Sequence, residues 1–238
     1  MAETDIAIGL PFGGRLIHPR WAAGFYIMDF PLHTKKSLIM VEKRPIDQAR
    51  NAIVQTALEQ NAKYLFFLDD DVICPKYTPL ALGSILETMK DDGVMLATGI
   101  YCTKNKAAAP VIFRHGFPGS YLDWTVNQEF EVDQCGAGCL MINMEVFKHL
   151  TPPYFKFTQK YEQLEGDILL TGVSEDVYFC DSVKKAGFKI YAHGAVLCKH
   201  YSNEDDKFYE LSEDSPPYKR ELQRQQEEVE RQKEKQEV

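Results

Sequence analysis

The chain has 238 residues, 45 % of them hydrophobic and 26 % charged, with a formal net charge of −8. That composition suits one globular domain with a sizeable core. Residues 204–238 carry 12 acidic against 7 basic side chains, so the rest is only mildly acidic, which argues against a nucleic-acid binder that works through phosphate contacts. Six cysteines occur, none in a Cys-x-x-Cys pair, and most lie beside apolar residues, as small buried hydrophobes do. No secretory leader pattern opens the chain and no apolar run reaches transmembrane length, so the expected setting is a reducing cytoplasm.

The first segment, "IAIGLP" at residues 6–11, predicts a short buried strand ended by a turn. The "FGGR" that follows is neither a dinucleotide fingerprint nor a P-loop. It is either a plain flexible turn or a loop over which a nucleotide base lies. Lys36–Glu42 reads as a second strand. Residues 45–62 predict a helix, because Ile46, Ala49, Ile53 and Ala57 fall near 3.6-residue spacing, Pro45 suits the start and Asn61 the end. The strand Tyr64–Leu68 runs straight into Asp69, Asp70 and Asp71. A helix over 79–90 and a strand over 93–101 follow. This alternation predicts an α/β fold whose mostly parallel central sheet is flanked by helices.

Between 104 and 133 the segments "APVIFR", "YLDWTV" and "EFEVD" predict short, partly antiparallel strands. "CGAGCLMINMEVFKHL" predicts a glycine turn, a strand and a short helix. Residues 174–186 predict a helix with Ser174 as N-cap and Gly187 as stop. "FKIYA" and "AVLCKHY" predict two short strands. From residue 204 the composition turns polar. A compact domain over 1–203 and a charged tail over 204–238, as a solvated helix or disordered, are therefore expected.

Three aspartates at the end of a buried strand repel one another and are costly to desolvate, so a cation is the expected companion. In an extended segment Asp69 and Asp71 share a face, and two carboxylates there suit Mg²⁺ or Mn²⁺ with positions left for water and phosphate. The plain alternative is a solvated acidic turn. Glu175 and Asp176 open a helix, where the dipole favours carboxylates; either that explains them, or they include a catalytic base near the metal. His200 is a candidate imidazole ligand, with His193 as its competitor. A zinc site from Cys135, Cys139, Cys198 and His200 matches no common spacing. Gly136 and Gly138 mark either a close approach to a ligand or a tight turn.

Taken in order, the strand ending in proline, "ARN" on the first long helix, "FFLDDDV", "GAGCLMINMEVF", "SEDVYFC" and "KHYS" resemble the small GT-A-fold glycosyltransferases near glycosyltransferase family 2 and its bacterial and viral relatives. The resemblance covers residues 5–203. It implies a single nucleotide-diphospho-sugar transferase domain dependent on Mn²⁺ or Mg²⁺. By the same resemblance Asp71 and His200 are metal ligands, and Asp69 lies by the ribose or a metal-bound water. Asp70, Pro11 and Arg50 border the donor, and Gly136 and Gly138 neighbour the donor sugar. Asp176, with Glu175 beside it, resembles the base of inverting members. The implied partners are a nucleotide-diphospho-sugar donor and a glycan or other hydroxyl acceptor. The QxxRW motif of processive members is absent, which implies transfer of one sugar. The competing expectations are a nucleotidyltransferase acting on a sugar phosphate and a non-catalytic sugar-nucleotide-binding protein.

Overall fold

The computed structural model describes residues 4–14, 16–116, 119–164 and 167–236. The elements in chain order are β1 (Ile6–Phe12), α1 (Pro19–Tyr26), β2 (Lys36–Glu42), α2 (Ile46–Glu59), β3 (Tyr64–Leu68), β4 (Val72–Ile73), α3 (Thr78–Thr88) and β5 (Val94–Ile100). Then come β6 (Ile112–Phe113), β7 (Glu129–Val132), β8 (Gln134–Cys135), β9 (Cys139–Asn143) and a 3₁₀ turn (Met144–His149). The chain ends with the hairpin β10 (Thr158–Leu164) and β11 (Asp167–Val173), then α4 (Glu175–Lys185), β12 (Lys189–Leu197), β13 (Lys199–Ser202), β14 (Lys207–Tyr209) and α5 (Pro216–Gln236). Helix α1 and the hairpin have no counterpart in the predicted elements, while "YLDWTV" forms no strand.

The seven-stranded central sheet has the order β2-β1-β3-β9-β5-β12-β7. It is mixed, which corrects the expectation of a mostly parallel sheet. Strands β1, β2, β3, β5 and β12 run one way, but β9 and β7 run against them, so only three of the six neighbouring pairs are parallel. The reason is connectivity. The chain leaves β5 at one end of the sheet and makes an irregular excursion. It returns at Gly136 on that same end, so β9 can enter between β3 and β5 only antiparallel to both.

Every residue of β3 is buried. Leu65 and Phe67 join the core that holds Ile53, Val54 and Ala57 of α2 and Phe179 of α4. Tyr64, Phe66 and Leu68 join the opposite core with Trp21 of α1 and Leu82, Ile85 and Leu86 of α3. Period-two alternation thus feeds two apolar layers, one per face, which is why the strand reads as a continuous hydrophobic run. Glycine at position 9 is required by close packing: a Cβ there would lie 2.6 Å from Ile53 Cγ2.

The C-terminal region departs from expectation at two points. The strand expected to end near Ala192 continues through Gly194 to Leu197 as a single irregular strand, and the break falls at Cys198 instead. The packed body also continues past residue 203. Strand β14 pairs with β13, Leu211 and Glu221 are buried, and Arg220 donates to the carbonyls of Leu122 and Trp124. Beyond Glu221 the described side chains of α5, 222–232, are exposed. No helix among the described residues is long and apolar enough to cross a membrane.

Candidate functional site

The site is built at the carboxyl end of β3, where ligands bind in open α/β sheets. The three aspartates leave that strand in three directions, each fixed by a different neighbour. Asp70 turns toward the first strand, and its Oδ2 accepts from the Gly13 N–H at 3.1 Å. Asp69 turns inward to Arg50 of α2, whose Nη2 lies 3.1 Å from both carboxylate oxygens. Asp71 turns to the other side, between Lys104 and His200.

His200 reaches Asp71 because β13 pairs antiparallel with β4 in the register His200↔Val72, and the Tyr201 N–H donates to the Asp71 carbonyl at 2.8 Å. Its ring is held from both ends. Nδ1 lies 2.7 Å from the carbonyl oxygen of Cys102, which can only accept, so Nδ1 carries the proton. Nε2 then faces Asp71 Oδ1, 3.4 Å away, where with its proton it pairs with that oxygen and without it offers a lone pair to a shared cation. This is the carbonyl–histidine arrangement that orients metal-ligating imidazoles. Burial pushes the Asp71 carboxyl up, but His200 and Lys104 outweigh it and hold it down at about 2.

Arg50 and Glu175 make a second, buried cluster. Arg50 is 3 % exposed and Glu175 5 %. Their side chains form a direct ion pair, and the same guanidinium holds Asp69. Burial raises both carboxyls, against the pull of Arg50. Asp176, the next residue on α4, faces outward more. Its Oδ1 accepts from the Ser174 hydroxyl and from the Val177 N–H, the latter at 2.8 Å. Ser174 therefore supports Asp176 instead of capping the helix through its own side chain, as expected from sequence.

A cleft of about 330 Å³ opens over this strand end, lined by Pro11, Gly13, Arg44, Ala49 and the aspartates. Pro11 and Asp70 stand on the wall of this cleft. Asp69 faces Arg50, and among the described residues it does not come together with Asp71 and His200 as a three-ligand group. Arg50 is a buried counter-ion. Gly136 and Gly138 make room for side chains: a Cβ at 136 would fall 1.9 Å from the Tyr101 hydroxyl, and one at 138 would fall 2.9 Å from Asp69 Oδ2. Tyr101 in turn accepts from the Gly138 N–H at 3.2 Å.

The weighed Cys135–Cys139–Cys198–His200 zinc set does not assemble. Cys198 and Cys139 instead meet Cys74, each with Sγ 3.3 Å from the Cys74 sulfur, and Cys135 faces Cys180. Among the described residues, Cys74, Cys139 and Cys198 form the sole group of three such side chains close enough to share an ion. Thiols suit soft cations, so this buried group is not a Mg²⁺ or Mn²⁺ site. His193 also stands apart, with Nε2 3.7 Å from Glu129.

No protein-family model matches the chain, and no curated protein sequence matches it. Its fold has a solved counterpart. The crystal structure of A197 from STIV, a viral protein, superposes with a TM-score of 0.58 at 18 % identity, over 88 % of this chain and 94 % of A197. At that identity the likeness concerns the fold alone: a single α/β domain with a large mixed sheet.

Sequence reasoning missed Lys104, the Cys102 carbonyl and Trp21, whose Nε1 donates to the Asp69 carbonyl at 2.8 Å. For Lys104 a signal existed. It lies just beyond the carboxyl end of β5, and such strand ends supply ligand-binding groups in α/β sheets. Backbone carbonyls and an indole under a loop leave no residue pattern to read.

Proposed function

We propose that the chain is a metal-dependent glycosyltransferase that moves one sugar from a nucleotide-diphospho-sugar to a hydroxyl acceptor, on a GT-A-type domain. The observation that carries this reading is the Asp71–His200 pair. One carboxylate and one imidazole, its tautomer fixed by Cys102, converge at the carboxyl end of a central strand beside a cleft. The donor set fits Mn²⁺ or Mg²⁺: a hard carboxylate oxygen and a nitrogen lone pair stand 3.4 Å apart, close to the separation of neighbouring ligands on a small divalent ion. Asp71 and His200 would hold that ion. When bound, it would offset the negative charge that grows on a departing diphosphate.

The remaining steps belong to the chain. Pro11, Gly13 and Asp70 wall the cleft that would receive the nucleotide. Asp176 is the acceptor's base. Its Oδ1 is engaged by Ser174 and Val177, which orients the carboxylate, and as base it would take the incoming hydroxyl proton. Direct attack with Asp176 as base inverts the anomeric centre. Glu175 acts through Arg50, keeping the floor of the site in place, and is not a second base.

The test is donor turnover. The purified chain is incubated with UDP-, GDP-, CDP- and dTDP-sugars, with and without Mn²⁺, and nucleotide release and thermal stabilisation are followed together. Metal-dependent release with one donor, absent in Asp71→Ala, is the expected result. Stabilisation without release would leave a binding protein, and pyrophosphate formation from a nucleotide triphosphate and a sugar phosphate would favour a nucleotidyltransferase.

A further inference from the structure

The Lys104 side chain meets Asp71 directly, and nothing in the proposed chemistry yet uses it. Its ammonium contacts Asp71 Oδ2, while His200 faces Oδ1 of the same carboxylate. Lys104 is anchored from behind. The Thr103 N–H donates to the Ala109 carbonyl at 2.8 Å, and the Ala109 N–H returns to Thr103 Oγ1 at 3.1 Å, closing the base of its loop. Two residues back, the Cys102 carbonyl fixes His200. One segment thus presents both the group that would help bind a cation and a cation of its own.

A divalent ion held by Asp71 and a lysine ammonium on Asp71 compete for the same charge. Placed together they repel strongly in a half-buried site. We propose that Lys104 is a stand-in cation that a divalent ion must displace, and that the ammonium then moves onto the donor's diphosphate. The inference rests on the reading of Asp71 and His200 as ligands. Its consequence is linkage. Metal alone must expel Lys104 with no new anion to receive it, so it binds weakly. Metal arriving with a diphosphate offers the ammonium two negative oxygens in exchange. Cation and donor therefore bind as a pair, and each tightens the other by the same factor. The loop tip around Lys104 is solvent-exposed from Asn105 to Ala107, so the side chain has room to swing. The four-carbon stem gives it the reach.

The experiment is Mn²⁺ binding to the full chain, followed by the paramagnetic resonance of unbound Mn²⁺, with preformed manganese pyrophosphate as the donor probe. Wild type is expected to bind manganese pyrophosphate at least tenfold more tightly than Mn²⁺ alone. K104Q is expected to bind Mn²⁺ alone about tenfold more tightly than wild type, as loss of one partly buried charge pair implies, and manganese pyrophosphate more weakly. K104R keeps the charge and should stay near wild type for Mn²⁺ alone. Equal Mn²⁺ affinity in wild type and K104Q overturns the proposal, as does weaker binding in K104Q. If K104Q and wild type both fail to bind Mn²⁺, the Asp71–His200 ligand pair falls and takes the proposal with it. If K104Q tightens Mn²⁺ and no donor is ever turned over, the switch stands and glycosyl transfer does not. Thermal melts of each variant without metal exclude misfolding as the cause.

Discussion

Arg50 and Glu175 form a buried ion pair although 125 residues separate them in sequence. The pair ties α2 to the first turn of α4, and Asp69 adds β3 to the same guanidinium. Removing the cation would strand two carboxylates in the interior. Arg50→Ala is therefore expected to cost about 3–5 kcal/mol of stability, read from urea denaturation. Arg50→Lys should recover only part, because one ammonium cannot reproduce the planar fork that serves both partners. A change below 1 kcal/mol in the alanine variant would contradict this account.

Glu175 and Asp176 are neighbours with different work. Asp176→Asn should lower transfer by about 10²–10⁴-fold while donor binding persists, as loss of a general base does. Glu175→Gln should lower the melting temperature first, with turnover falling only as folded protein is lost. Steady-state kinetics beside a thermal melt separates the two, and the reverse pattern would move the base to Glu175.

Gly136 is set by the ring of Tyr101. The buried hydroxyl occupies the place of the missing Cβ, and the ring carbon Cζ lies only 2.7 Å from it. Gly136→Ala should destabilise by about 1–3 kcal/mol, as overpacking does. Pairing it with Tyr101→Leu should shrink that increment, a coupling that a double-mutant cycle reads directly.

His193 gives stability a pH dependence. Burial lowers its pKa below 6.5, with Glu129 pulling the other way, and its Nδ1 accepts from the Ala195 N–H at 3.2 Å. A group depressed in the folded state contributes stability that is full above its unfolded pKa and lost as pH falls through the folded one. Urea midpoints should therefore drop between about pH 7 and pH 5, on the scale of an ordinary histidine pKa. His193→Gln should flatten that part of the profile. A midpoint that rises on acidification would reverse the sign and refute the assignment.

The end of α5 is dispensable and its beginning is not. Deleting residues 226–238 removes a segment whose described side chains, 226–232, are exposed, and should shift stability by under about 0.5 kcal/mol. Deleting from 211 onward also removes buried Leu211 and Glu221 and the Arg220 bonds to Leu122 and Trp124, and should lower the melting temperature by several degrees.

Most of the first hundred residues, α1 excepted, were legible because their apolar positions recur in a simple period. Ile46, Ala49, Ile53 and Ala57 mark one side of α2, and "YLFFL" is apolar on both sides of β3. The direction of β9 was not legible. "CLMIN" reads the same whether it runs with or against its neighbours, and only the return of the chain at Gly136 decides. In the site, the aspartates announced themselves by their number, yet their separate partners did not. Asp69 pairs with Arg50 across 19 residues and Asp71 with Lys104 across 33, distances over which local pattern carries no information. Gly136 and Gly138 read as a close approach to a ligand or a tight turn, and no local pattern signalled that Tyr101 and Asp69 fill the space beside them.

The three clustered cysteines bear on all of this without touching the cleft. Cys74 follows Asp71 by three residues, Cys139 follows Gly138, and Cys198 precedes His200 by two. Their sulfurs meet in one buried knot, with Gly99 lacking the Cβ that would fall 2.6 Å from Cys139 Sγ. The three loops that shape the site thus share a single mechanical joint. A volume change at any one sulfur is transmitted to all three loops, so activity there should fail before the fold does.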